Sequence, residues 1–265
     1  MKNLLALTLS LLTLSVFAQQ SDPSRYRIEV GDPTTSTVTE KSFNTIPFII
    51  NSQHYHDYKK YKIKTEVFTF WEKPFFTAWV QELGPQKYSI NFWGGVTRIP
   101  GMNDNGLALF ACHEVGHILG GKPRSKVKNF LWASAEGQSD YFATSICLKR
   151  YFASMAKRGQ LTEPKINRKL YTRCITKYPE TQDFLICINI MSAIEAFAHV
   201  LNHVDPEKPK INLFKKSPAA KETIYNSYPE GQCRIETLRA GNFCSPKDYP
   251  CQDKDNIRPQ CWFVD

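Results

Sequence analysis

Eight cysteines behind an apolar leader constrain this chain more than any other feature of its 265 residues. Met1-Lys2-Asn3 is a short basic start, and Leu4 to Ala18 is an apolar run with Val16 and Ala18 at the −3 and −1 positions of a cleavage site. That run is shorter than the ~20 residues a membrane-crossing helix needs. Residues 1–18 therefore read as a secretory signal peptide, and the expected destination is the periplasm or the extracellular medium. In an oxidising compartment Cys112, Cys147, Cys174, Cys187, Cys233, Cys244, Cys251 and Cys261 most simply form four disulfides. Their number permits about a hundred connectivities, so the pairing stays open. No Cys-x-x-Cys pair is present to suggest a thiolate metal site.

A chain of this length with 42% hydrophobic and 22% charged residues buries a core, which excludes wholesale disorder. Its 13 Gly and 16 Pro follow no period, which excludes a collagen-like chain. The formal net charge of +9 favours acidic surfaces. The basic groups at 59–64, 122–128 and 165–177 lack the interleaved aromatics of a nucleic-acid module, so no nucleic-acid partner is expected. No apolar stretch after the leader reads as long enough to cross a membrane, and stable membrane insertion is not expected. No residue pattern sets an oligomeric state.

Residues 19–45 are rich in Ser, Thr, Asp and Pro without an apolar period and read as an irregular lead-in. Alternation over 61–71 and 87–99 predicts two strands, and 76–83 is ambiguous between strand and helix. The segment 91–97, with Gly94-Gly95, could present an open edge to an extended peptide, or form an ordinary bend. After Gly101 the period changes. Asn103-Asp104-Asn105-Gly106 offers N-cap chemistry, and 107–119 predicts a buried helix ended by Gly120-Gly121. Further helices are predicted over about 133–157 and 184–204. Strands first and helices after them argue an α+β fold. Four cysteines in the last 33 residues, three of them among Pro246, Pro250 and Pro259, make 241–265 a disulfide-stapled tail on a main domain of 46–240.

The chemistry lies in His113-Glu114-Val115-Gly116-His117. Helical residues four apart share a face, so both imidazoles can meet one ion, while Glu114 is offset towards a water beside it. Zinc lowers the pKa of such a water towards ~7, and a neighbouring carboxylate can take its proton. Two histidines call for a third protein ligand. Glu136 supplies it after eighteen intervening residues, enough for a turn and an antiparallel return. Asp140, one turn further, is placed to accept the other ring N–H of a ligand histidine. The expected cofactor is one Zn²⁺ per chain, held by His113, His117 and Glu136, with Glu114 as general base.

The pattern HExxH–x18–ExxxD resembles the gluzincins, zinc metallopeptidases whose third ligand is a glutamate on the next helix. The spacing resembles the aminopeptidase branch. The text around Glu136 (ASAEGQSDYFA) is more similar to the CaaX prenyl protease and HtpX-type family. That family has a later His-Pro-x-x-x-x-Arg-Ile segment ending in Leu, and here Tyr228-Pro229-Glu230-Gly231-Gln232-Cys233-Arg234-Ile235 is followed by Leu238. Tyr228 stands where the family has His, the interval before the third ligand is shorter, and the membrane helices are absent. The resemblance implies a zincin-like fold and hydrolysis of a peptide or protein substrate. It also implies Tyr228 as donor to the developing oxyanion and Arg234 as its neighbouring support. The alternatives are an aminopeptidase and a non-catalytic, zinc-stabilised binding module. His199 and His203 share a helical face and are reserve candidates, whereas His54 and His56 read as surface residues. Cys112 and Cys147 are expected near the site as a brace.

Overall fold

The computed structural model describes residues 26–245, 251 and 257–264, so the signal peptide expected at 1–18 lies outside the described residues. The fold is α+β, but a helix precedes the sheet. Helix α1 (Glu40–Gln53) begins inside the segment expected to be irregular. Thr39 caps it: its Oγ1 accepts from the Ser42 N–H at 3.1 Å, and Ser42 Oγ accepts from the Thr39 N–H at 3.0 Å. Phe43, Ile46 and Ile50, spaced three and four apart, bury one face against the core. A short helix α2 (Tyr55–Lys60) follows.

Strands β1 (Lys64–Phe70), β2 (Ala78–Gly84) and β3 (Lys87–Trp93) form a sheet in the order β1-β3-β2. The ambiguous 76–83 stretch is thus largely strand. Strand β3 runs parallel to β1 and antiparallel to β2, with Asn91 opposite Phe68 on one side and Trp79 on the other. Paired on both sides, β3 offers no open edge, which removes the expectation of strand addition at 91–97. The strand also ends earlier than its alternation implies. At Gly94 a Cβ would fall 1.9 Å from the Trp71 carbonyl oxygen, and the chain turns there into α3 (Gly95–Arg98).

Helix α4 (Asp104–Leu119) carries the HEVGH segment, and Asn103 Oδ1 accepts from the Gly106 N–H at 2.8 Å as its cap. The long helix expected over 133–157 begins at Glu136 and is interrupted: α5 (Glu136–Phe142), a π-helical turn over 143–147, then α6 (Leu148–Lys157). Helices α7 (Arg168–Lys177), α8 (Thr181–Val204) and α9 (Gly231–Phe243) complete the fold. Of these only α8 was anticipated. Helix α8 has the length and apolarity to cross a membrane, contrary to the sequence expectation, yet 78% of its apolar window is buried within this protein. It packs against α4, α6, α7 and α9, so its apolarity serves the core.

All eight cysteines are paired: Cys112–Cys147, Cys174–Cys187, Cys233–Cys261 and Cys244–Cys251. Cα separations of 5.6–5.8 Å suit the bridges. The first ties α4 to the π turn, the second α7 to α8, and the others hold the tail to α9. Fully buried Trp262 packs its indole against Gly137, beside Glu136. This many bridges fit an oxidising compartment.

Candidate metal centre

The site forms where α4 and α5 nearly touch. A Cβ at Gly116 would come within 2.9 Å of the Ser139 carbonyl oxygen, so glycine at that place in the HEVGH segment lets the two backbones close up. Ser139 Oγ donates to the His113 carbonyl and fastens the contact. Across this seam ligand atoms of His113, His117 and Glu136 lie within 4.8 Å of one another, a group that could hold a metal ion. His113 Nε2 is 3.1 Å and His117 Nε2 3.8 Å from oxygens of Glu136.

The other nitrogen of each ring is engaged elsewhere. His113 Nδ1 is 2.8 Å from Asp140 Oδ1, and His117 Nδ1 is 3.0 Å from the Ser134 carbonyl oxygen. Both acceptors fix the Nδ1–H tautomer and leave Nε2 as the free lone pair. Asp140 therefore has the predicted partner. Arg234, from α9, binds Asp140 through Nε to Oδ2 at 2.8 Å and Nη2 to Oδ1 at 2.8 Å. The guanidinium in turn lies over the Phe197 ring at 4.7 Å and the Tyr228 ring at 5.0 Å. This brings the 228–238 segment to the site, as the sequence implied.

The electrostatics favour a cation. Burial works against ionisation of Asp140, but Arg234 and His113 overcome it and hold the carboxyl below the usual range. Burial likewise opposes Glu136, and the histidines and Arg234 again lower its pKa. Burial would lower His113, but Asp140 and Glu136 raise it to about 10. Two ionised carboxylates facing one guanidinium leave negative charge that a proton on His113 or a divalent cation would balance. Glu136 Oε2 is buried and lies 3.1 Å from His113 Nε2 without a well-formed hydrogen bond, so the two atoms face each other as two ligands of one ion would. The donor set of two imidazoles and one carboxylate fits a borderline-soft metal.

Glu114 is 5% exposed, and burial raises its pKa while the histidines oppose the rise. Tyr228 is half-exposed. The Glu136 charge is the largest influence on its phenol and pushes its pKa up, so the group stays neutral.

The reserve histidines do not join the metal group among the described residues. His199 is exposed and sits against Gly101, at the turn before α4. His203 is partly buried in the last turn of α8. His54, expected at the surface, is 1% exposed and accepts from Arg150 Nη1 at 2.9 Å through Nδ1. The burial arises because 54 joins two helices, where strand-like alternation with His56 carries no meaning. The Ser134 carbonyl went unpredicted, since a backbone acceptor leaves no residue-type signal.

No family model, curated protein or solved structure matches the chain. Fold and site define its class: an α+β, disulfide-bonded protein with a largely enclosed His-His-Glu group, His113 buried and His117 and Glu136 partly so, that could hold a metal ion.

Proposed function

We propose that this chain is an exported, zinc-dependent peptidase with a zincin-like fold and a gluzincin-type centre. The observation that carries the reading is the convergence of His113, His117 and Glu136 beside a buried carboxylate, Glu114, that is not one of the three ligands. A purely structural site would close its coordination with a fourth protein ligand and would have no use for such a base.

Zinc held by His113, His117 and Glu136 would supply a Lewis acid that makes water acidic enough to attack a carbonyl near neutral pH. Glu114 takes the proton of the attacking water on a carboxylate oxygen and delivers it to the departing amine. Its upward-shifted pKa suits both halves of that exchange. Asp140 and the Ser134 carbonyl hold the two imidazoles in the ligating tautomer. Arg234 keeps Asp140 ionised and oriented. Tyr228 donates its neutral O–H where negative charge develops on the former carbonyl oxygen.

The eighteen-residue interval favours an aminopeptidase as the second reading. Incubation of the purified protein with a peptide library, with and without a chelator, tests the proposal. Cleavage that stops on chelation and returns with zinc is expected. Cleavage confined to the first residue would favour the aminopeptidase, and no metal-dependent cleavage would overturn the proposal.

A further inference from the structure

Away from the metal centre, α9 buries a second guanidinium, and among the described residues no acid hydrogen-bonds its Nε or Nη1. Arg239 is only 8% exposed, and its Nε and Nη1 are buried without a hydrogen-bond partner. Leaving charged donors unpaired in the interior is costly, so each such group calls for an occupant. Its neighbours on α9 are Glu236, one turn before, and Phe243, one turn after. Both are flanked. The Ser217 N–H donates to Glu236 Oε2 at 2.6 Å, which places Ser217 on this face of α9. Ser217 Oγ is a further buried atom without a partner. On the other flank, the Arg173 guanidinium of α7 lies 5.6 Å from the Phe243 ring.

We propose that Arg239, Ser217 and Arg173 form a binding site for a small tetrahedral oxyanion, phosphate or sulfate. Such an ion presents several acceptor oxygens and can receive Nε–H and Nη1–H of one guanidinium together with a hydroxyl. Two guanidinium groups against the single carboxylate of Glu236 leave the spot net positive, and that carboxylate is already occupied by the Ser217 N–H. Burial, with Arg173 in support and Glu236 opposing, lowers the Arg239 pKa to about 10 from its ordinary 12.5, so the one nearby carboxylate does not offset the burial of the charge. A turn earlier on α7, Lys169 carries its ammonium over the Phe214 ring at 5.8 Å and adds positive charge to that helix. The near-complete burial of Arg239 restricts the occupant to a small ion or a single projecting anionic group.

Thermal unfolding of the full oxidised chain tests this in phosphate, in sulfate, and in chloride at matched ionic strength. Phosphate or sulfate should raise the midpoint saturably by about 2–5 °C, the scale expected for a ligand well above its Kd in a domain of this size. Chloride should not. Arg239→Leu should abolish the oxyanion shift and raise the midpoint in chloride, because a buried unpaired charge has been removed. Arg173→Gln and Ser217→Ala, at less buried positions, should weaken the shift without unfolding the protein, and they decide the matter should Arg239→Leu fail to fold. An equal shift in chloride, no saturable shift in either oxyanion, or wild-type shifts in the variants would overturn the proposal.

Discussion

Asp140 and Arg234 face each other with two hydrogen bonds of 2.8 Å, and Oδ1 of the same carboxylate lies 2.8 Å from His113 Nδ1. One acid thus orients a proposed ligand while a guanidinium 94 residues away keeps it ionised. The arrangement joins α9 to the α4–α5 seam through charge as well as packing.

Asp140→Asn should weaken zinc binding by 10–100-fold, the usual consequence of removing the acceptor that orients a ligand histidine. It also leaves the Arg234 charge buried and uncompensated, so stability should fall by about 3 kcal/mol. Competition against a chromophoric chelator checks the first effect and urea unfolding the second. Zinc affinity within threefold of wild type would show that Asp140 does not support the metal.

His54 supplies a pH-dependent prediction remote from the metal. Burial, with Arg150 beside it, lowers its pKa from 6.5 to about 4 in the folded chain. Between those values the unfolded chain binds the extra proton, so stability is fully present above pH 6.5 and is lost as pH falls towards 4. The full span corresponds to about 3 kcal/mol. Denaturant unfolding at a series of pH values should show this slope in wild type and not in His54→Phe. An identical slope in both would assign the effect elsewhere.

Tyr228→Phe should retain fold and zinc but lose kcat by ~10–10³ with little change in KM, as expected for a hydrogen bond made mainly in the transition state. Asn substitutions at His199 and His203 are the controls. A fully active Tyr228→Phe beside an inactive histidine variant would move the donor to α8.

The centre was legible in the sequence because its chemistry demands fixed residue types at fixed helical spacings. His113, His117, Glu136 and Asp140 each fall where period and capping put them. The Ser134 carbonyl and the Arg234–Asp140 pairing were not, the first because it is backbone, the second because its partners meet only in the tertiary fold. Helix α1 hid behind Ser, Thr and an internal Pro47, although Thr39 and Ser42 form a reciprocal cap. Helix α9 hid for a different reason. It buries Arg239, Thr237 and Asn242 along with its apolar residues, so no clean amphipathic stripe marks it. The end of β3 at Trp93 is set by the close approach of Gly94 to the Trp71 carbonyl, a contact that alternation in sequence cannot record.

The proposed function rests most heavily on Glu114, a buried carboxylate beside the three ligands but not one of them. Glu114→Gln keeps the side chain's shape and leaves His113, His117 and Glu136 untouched. The decisive measurement is the rate of peptide hydrolysis by this variant at zinc content matched to wild type. The account predicts a fall of ~10² or more, the scale of a lost general base. Undiminished hydrolysis would contradict it.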